Sequence, residues 1–592
     1  MTHALKNSML KKLVSKNRNW ELLIAFLLFI LSWVYIIVRA NTVFMVFDEI
    51  TTKWAYMVSW NPFPYQGYID ANNHFLNSLL GGLFIRIFQS DAQWVVRLPN
   101  ILAFPVFFWS AFGFRRFLRH RVNLLLFLIL IVFSAYIIDY FMLARGYGLS
   151  MALMIWALSH TAMFFKNQRS RHFSIAILAW LLAAYANLTL IPFALVGVVY
   201  LSIYSWNHLH KAWLIISLTA LIPLSFLVKY IFHLKEIGKL YLGNSEGFYN
   251  TTVRSLTGYL WGKEGIATDV VLTVAGLLIA FTLIYAISKT KSLFQSRMVF
   301  SLFFILSIVN ILGQHWLLGV NYPEDRAALY LIVFLFGALA FSIDFWHDNK
   351  AAYPLIAIIL IIFVMQINFT KSVAYPYFHF DKELLTKIQD TVKGIPPSTG
   401  NRNWLMDNEM SRQEDLPVRA FQLSDSPSDT LVDYLVTWPD IRPNIQQWYH
   451  PVYKDKISNI VLYERNKFLS RKKIIEQSHE LEGTRPYFNF YKDTITAPLF
   501  IRCKGYIGNL DLYDKAIIVC TVTEIQKQQP YAYYPLSLVK SAPIGPKGRI
   551  KFDFTFAVND YSSTDKVTVF LWNKKKALVN GDVQVSVYEI TD

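Results

Sequence analysis

Four short stretches of this chain carry side chains suited to chemistry on a phosphate and a hydroxyl. Two adjacent carboxylates, Asp48 and Glu49, follow Val43-Phe44-Met45-Val46-Phe47. A carboxylate at a membrane boundary can act as general base towards a hydroxyl, and the simpler alternative is a solvated loop pair. Asn72-Asn73-His74 comes next: the amides suit sugar hydroxyls and the imidazole suits a phosphate or a metal, or else Asn caps a helix. Ala144-Arg145-Gly146-Tyr147-Gly148 offers a guanidinium for two hydrogen bonds to a lipid phosphate, with Asp139 six residues earlier as its expected partner. Its alternative is an interfacial anchor that snorkels to the headgroups. Last is Tyr322-Pro323-Glu324-Asp325-Arg326, where Arg326 enters an apolar run and is either used or paired with Glu324 or Asp325.

The elements that position these residues follow from composition. The chain has 592 residues with 57 Lys+Arg against 40 Asp+Glu, a net charge of +17, and only 16% charged residues. That is well short of the roughly 25% of a soluble protein. The deficit is uneven: up to Thr370 there are 28 basic and 14 acidic residues, and from Lys371 onward 29 and 26. A membrane domain with a soluble tail is expected. A crossing helix needs about 20 apolar residues, and eleven stretches qualify, near 20–39, 95–114, 122–141, 148–165, 173–190, 191–205, 212–232, 270–288, 298–317, 327–345 and 352–370.

Basic residues set the orientation. Lys6, Lys11, Lys12, Lys16 and Arg18 precede the first span, and alternate loops carry Arg115, Arg116, Arg119 and Arg121, then Lys166, Arg169 and Arg171, then Lys289, Lys291 and Arg297. These loops are expected in the cytoplasm, which accounts for the basic excess without nucleic acid. The N-terminus is then cytoplasmic and the tail lies across the membrane, in the periplasm of a bacterial inner membrane. All four chemical stretches fall on that outer side. Loop 40–94 contains amphipathic stretches, Thr51–Trp60 and Asn73–Phe88, suited to the membrane surface.

We divide the chain into a membrane domain (1–370), a small α/β or irregular subdomain (371–470) and a β-sandwich (471–592). Alternating runs at Ala516–Val522, Arg549–Val558, Lys566–Trp572 and Gln584–Ile590 support the sandwich. Its aromatics Tyr531, Tyr533, Tyr534 and Trp572 read as strand core in preference to a sugar-stacking surface. Cys503 and Cys520 read equally as a disulfide or as two buried thiols. There is no G-x-x-x-x-G-K-[ST] sequence, no His-Glu-x-x-His pair and no zinc-spaced Cys/His cluster.

The order of these features, with Arg97-Leu98-Pro99 opening the second span, resembles the GT-C membrane glycosyltransferases, in the branch of protein O-mannosyltransferases and lipid A aminoarabinose transferases. The resemblance covers roughly residues 20–330. It implies a GT-C-like helical fold and transfer of a sugar from a polyprenyl-phosphate donor, usually with inversion, to a lipid, protein or glycan acceptor, among membrane lipids. It further implies Asp48 as the base and Glu49 as a residue positioning the acceptor. Arg145 and Arg326 would hold the carrier phosphate. Asn73, His74, Asp139, Tyr147, Glu324 and Asp325 complete the expected substrate site. Relatives have Pro after the His; here the sequence is Asn-Asn-His-Phe-Leu-Asn. No cofactor is certain; a divalent metal stays open, with His74 its one candidate ligand. A lipid-linked solute transporter or flippase, and a pyrophosphate-donor ligase or polymerase, are the alternatives.

Overall fold

The computed structural model describes residues 2–591 except 67, 209–211, 241–242, 262–265, 347–349, 351, 390–397, 402–408, 410–418, 423–429, 438–445, 509–515, 525–528, 538–549, 560 and 563; the side chain of Tyr531 lies outside what it describes. Among these residues, eight helices are long and apolar enough to cross a membrane, from Trp20–Thr42 to Asp325–Phe345. Three of the eleven expected spans are shorter helices, Arg121–Val132, Ser170–Ala186 and Ala352–Gln366. The chain is a polytopic helical membrane protein with a β-rich tail.

Two span boundaries differ from expectation, each for a local reason. The third span stops at Val132 instead of 141, because the Ser134 hydroxyl accepts from Ile137 N and starts a new short helix, Ala135–Asp139. The fifth stops at Ala186 instead of 190, because Asn187 Oδ1 accepts from Thr189 N at 3.1 Å and opens a separate turn.

The loop between the first two spans is built from Phe47–Thr52, a π-helical turn Lys53–Val58, and helix Phe75–Phe88. The last two pack very closely. A Cβ on Gly82 would lie 2.9 Å from the Met57 carbonyl oxygen, so the approach requires glycine there.

Buried ion pairs tie the loop down. Glu49, fully buried, receives Arg97 Nε on Oε1 at 2.9 Å and Nη2 on Oε2 at 2.7 Å. It also accepts from Ala144 N at 2.5 Å and Val46 N at 3.1 Å. Arg97 Nη1 reaches the carbonyls of Ala40 and Val43 at 3.0 and 2.7 Å. The first span, the second span and the segment before Arg145 therefore meet at one carboxylate.

Asp139 was expected to pair with Arg145. It instead meets Arg39 of the first span at 2.6 Å, and its other oxygen accepts from Ser372 Oγ (2.5 Å) and Ala374 N (3.1 Å). Sequence proximity misled here: after Val132 the chain turns Asp139 towards the first helix and the start of the tail.

In the tail, strands β1 (Ser398–Asn401), β2 (Arg419–Gln422), β3 (Tyr434–Thr437), β4 (Tyr449–Lys454) and β5 (Val461–Arg465) form a mixed sheet in the order β2-β1-β3-β5-β4. Leu384 and Ile388 of helix Lys382–Gln389 are buried in the cluster that contains Tyr434, Val436 and Leu462 of this sheet. Eight longer strands follow: β6 (Ser470–Gly483), β7 (Tyr487–Thr494), β8 (Leu499–Ile507), β9 (Ala516–Glu524), β10 (Gln529–Ser537), β11 (Ile550–Val558), β12 (Lys566–Asn573) and β13 (Val579–Thr591). They make two antiparallel sheets, β10-β9-β12-β7 and β11-β8-β13-β6. Alternation in β12 buries Val567, Val569 and Leu571 and turns Phe570 and Trp572 outward. The core reading of Trp572 and the exposed Tyr533 is thus corrected, while Tyr534 packs against the core. Cys503 and Cys520 are free, buried thiols, and burial pushes both above their ordinary pKa.

Asp139→Ala would leave Arg39 charged and buried beside an unanchored linker. The expected cost is about 3–5 kcal/mol, read as a lower melting temperature in detergent and faster proteolysis near residues 371–376. Unchanged melting and cleavage would show that the pair does not tie the tail to the membrane domain.

Candidate active site

Asp48 stands in the first turn of Phe47–Thr52, just beyond the first span. Two guanidiniums converge on its Oδ2: Arg326 Nη2 at 3.2 Å and Arg145 Nη2 at 3.6 Å. Both are within ion-pair distance but not aligned for hydrogen bonding, since Asp48 Oδ2 has no hydrogen-bond partner. Arg145 precedes helix Gly146–Asn167 and Arg326 lies in the turn Asp325–Ala328 that opens the tenth expected span. The residues at the ends of three separate spans therefore meet at one point.

Each arginine is placed by its backbone. Arg145 is followed by Gly146, where a Cβ would lie 2.0 Å from the Ala186 carbonyl oxygen and 2.7 Å from His74. Arg145 Nη1 donates to Thr52 Oγ1 at 3.0 Å, one turn beyond Asp48. The preceding segment is held by amides: Asn77 Nδ2 donates to Ala144 O at 3.2 Å and Asn100 Nδ2 to Asn77 Oδ1 at 2.8 Å, while Asn100 Oδ1 accepts from Leu149 N at 2.9 Å. Asp325 has φ +49°, a left-handed conformation that Asp tolerates better than most residues, and its N donates to Ser255 Oγ at 3.0 Å. That turn directs Arg326 inward to Asp48.

One component was missed by the sequence reading. Tyr375, just after the last expected span, is buried 5.2 Å beneath the Arg326 guanidinium. Its hydroxyl has no hydrogen-bond partner. Burial raises its pKa well above the ordinary value despite Arg326 and Arg145, so the phenol keeps its proton and remains a donor. The Nε atoms of Arg145 and Arg326 are likewise buried and without partners. Two guanidiniums against one carboxylate leave one positive charge, and three buried donors around them, the two Nε atoms and the Tyr375 hydroxyl, have nothing to bond. Such a cluster is suited to a phosphate.

The other expected residues divide. Tyr147 is buried, 5.8 Å from the Arg145 guanidinium and edge-on to His74 at 4.8 Å. His74 Nδ1 lies 2.9 Å from the Ala186 carbonyl, which makes Nδ1 the protonated nitrogen and leaves Nε2 a lone acceptor. His74 and Tyr147 line a cavity of about 270 Å³ that continues past Asn187, Gln314, Pro323 and Ala327. Asn73, by contrast, is used internally, bonded to Pro62 O (3.3 Å) and Ser78 Oγ (2.8 Å). Glu49 has both oxygens occupied by Arg97 and backbone amides, and Asp139 is committed to Arg39. Glu324 is exposed, and the ion pair given to Arg326 is with Asp48. As a metal ligand His74 stands alone: among the described residues no three His, Cys, Asp or Glu side chains gather into a metal-binding group.

No family model and no curated protein matches the chain. Among solved structures, it is similar to the arabinosyltransferase EmbB from Mycobacterium smegmatis, with TM-score 0.40 and 9% identity over 95% of this chain. The chain spans 64% of that protein's length. It is also similar to ArnT from Cupriavidus metallidurans, bound to undecaprenyl phosphate (TM-score 0.36, 11% identity, 74% of this chain and 97% of that one) and in the apo state (0.34, 11%, 76% and 98%). At these scores no residue correspondence is drawn.

Burial first, then Arg145 and Arg326, hold the His74 pKa well below 6.5, against the opposing hydrogen bond to Ala186. As pH falls, the unfolded chain takes up this proton before the folded one. The contribution to stability is therefore complete above about pH 6.5 and is lost as pH falls below it. The melting temperature should drop on going from about pH 7.5 to about pH 5.5, and His74→Gln should shrink that drop. An equal drop in both proteins would mean that His74 is not its source.

Proposed function

We propose that the chain transfers a sugar from a polyprenyl-phosphate donor to an acceptor on the outer, periplasmic face of the membrane. The observation that carries this reading is a single carboxylate, Asp48, held between buried Arg145 and half-buried Arg326, whose Nε donors are both buried and unused, with an unused buried phenol beneath Arg326. A transporter needs no base at such a point, whereas glycosyl transfer needs a base and an anion cradle next to each other.

In this reading the donor phosphate takes the unused donors of Arg145, Arg326 and Tyr375, and draws the guanidiniums from Asp48. The sugar occupies the adjacent cavity against Tyr147 and the lone pair of His74 Nε2. Asp48 accepts the proton of the acceptor hydroxyl as its oxygen attacks the anomeric carbon. The bond from that carbon to the phosphate oxygen breaks, its electron pair leaves with the carrier phosphate, and the configuration inverts. Arg145, Arg326 and the Tyr375 hydroxyl stabilise the charge that grows on the leaving phosphate. Glu49 acts at one remove by fixing the backbone that carries Asp48 and Arg145.

Two variants separate the roles. Asp48→Asn should lower turnover by about 10²–10⁴-fold while the purified protein still binds a long-chain polyprenyl monophosphate. Arg326→Gln should weaken that binding. In cells, mass spectrometry should show the same lost envelope glycan in an Asp48→Asn strain and a deletion strain, with carrier-linked sugar accumulating. A diphosphate carrier in the accumulated pool would favour the ligase or polymerase alternative. Full rescue of the deletion by Asp48→Asn would remove Asp48 as the base.

A further inference from the structure

The opposite end of the helical bundle carries a second charged constellation, which the transfer reaction leaves unused. Between Gln93–Gly113 and Arg121–Val132 the chain turns through Phe114–Arg116. There Arg115, Arg116, Arg119, His120 and Arg121 surround a cavity of about 410 Å³ that is bounded by Glu21 of the first helix. Glu21 and Thr42 lie at opposite ends of that membrane stretch, about 30 Å apart at 1.5 Å per residue. The cavity and Asp48 therefore sit near opposite boundaries of a bilayer.

Membrane orientation requires only that basic residues lie near this boundary. It does not require them to converge on a hollow, nor to be fixed there. Here the turn is rigid: the buried Asp344 carboxylate accepts from Arg119 N (2.9 Å), His120 N (3.0 Å) and Asn123 Nδ2 (3.1 Å), with Arg297 at 3.6 Å. The side chains are located too. Arg115 lies over the Phe112 ring at 4.5 Å, Arg119 donates to Phe345 O at 3.2 Å and Arg121 pairs with Glu21. Four arginines against one glutamate leave an excess of three positive charges around the hollow. Leu23, Phe26, Leu27 and Leu31, which follow Glu21, are exposed on the first helix and offer an apolar strip running from the hollow into the bilayer.

We propose that this hollow binds the phosphate headgroup of an anionic membrane lipid, whose acyl chains lie along the exposed strip of the first helix. Inorganic phosphate or a soluble phosphate ester shares the headgroup chemistry. The apolar strip favours the lipid, because a soluble anion has no use for it.

The test is lipid retention by the full chain, in nanodiscs of phosphatidylcholine containing phosphatidylglycerol, read by native mass spectrometry. Arg116→Gln with Arg121→Gln should weaken phosphatidylglycerol retention about 25-fold, at about five-fold per basic residue. Lys289→Gln with Lys291→Gln removes the same charge from another loop on this face and should leave retention unchanged. Equal loss in both pairs would mean diffuse surface attraction, and no loss in either would mean no site; each overturns the proposal. So would displacement of the lipid by millimolar inorganic phosphate. Should the glutamine pair fail to fold, Arg116→Lys with Arg121→Lys keeps the charge but not the planar fork. It should also weaken retention, and full retention would count against the built site.

Discussion

The Glu49 carboxylate is the constraint on which one whole end of the helical bundle depends. It is fully buried and is tolerable there only because Arg97 and the amides of Ala144 and Val46 satisfy it. Those same bonds fix the entry to Phe47–Thr52 relative to the second span and the segment that ends at Arg145. Asp48 is one residue further round the helix, about 100° away, and points where its neighbour cannot. A pair of carboxylates that looks symmetric in sequence is thus separated by the helical turn, Glu49 into buried structural bonds and Asp48 towards the two arginines.

The rest of the site extends this division of labour. The Asn77–Asn100 amide network and the close approach at Gly146 hold Arg145, and the left-handed turn at Asp325 holds Arg326. None of these supporting groups touches Asp48 through a flexible surface side chain. Aromatic rings pack against both arginines beside the single carboxylate: Tyr375 lies under Arg326 and Tyr147 near Arg145. The tail joins the same frame, since Lys53, in the turn after Asp48, is buried against Asp91 at 3.0 Å and Glu409 at 2.8 Å.

How much of this was legible follows from which signals are local. Eleven apolar runs and the side on which Lys and Arg fall are properties of the sequence itself. They placed Asp48, Arg145 and Arg326 on one face before any coordinates. Which residues pair inside that face is not local. Asp139 lies six residues from Arg145 yet meets Arg39, one hundred residues away, and Glu49 was read as chemical because nothing nearby announces Arg97 as its partner. Tyr375 had no signal at all: it is one aromatic in a connector, brought beneath Arg326 by the anchoring of Lys371 on Arg39 and of Ser372 and Ala374 on Asp139. In the sandwich the strands were legible from alternation, but which face of β12 is inward depends on the opposing sheet.

That anchoring has a consequence for how the molecule is made. Asp48 and Arg145 are in place once the early spans have inserted, and Arg326 arrives with a late one. Tyr375 is delivered only after helix Ala352–Gln366 has been made and the chain beyond it has folded back onto Arg39 and Asp139. Throughout most of synthesis, the growing protein holds Asp48 and Arg145 without the arginine and the phenol that join them in the finished fold. The order of the chain thus delays this cluster until the last helix is in place.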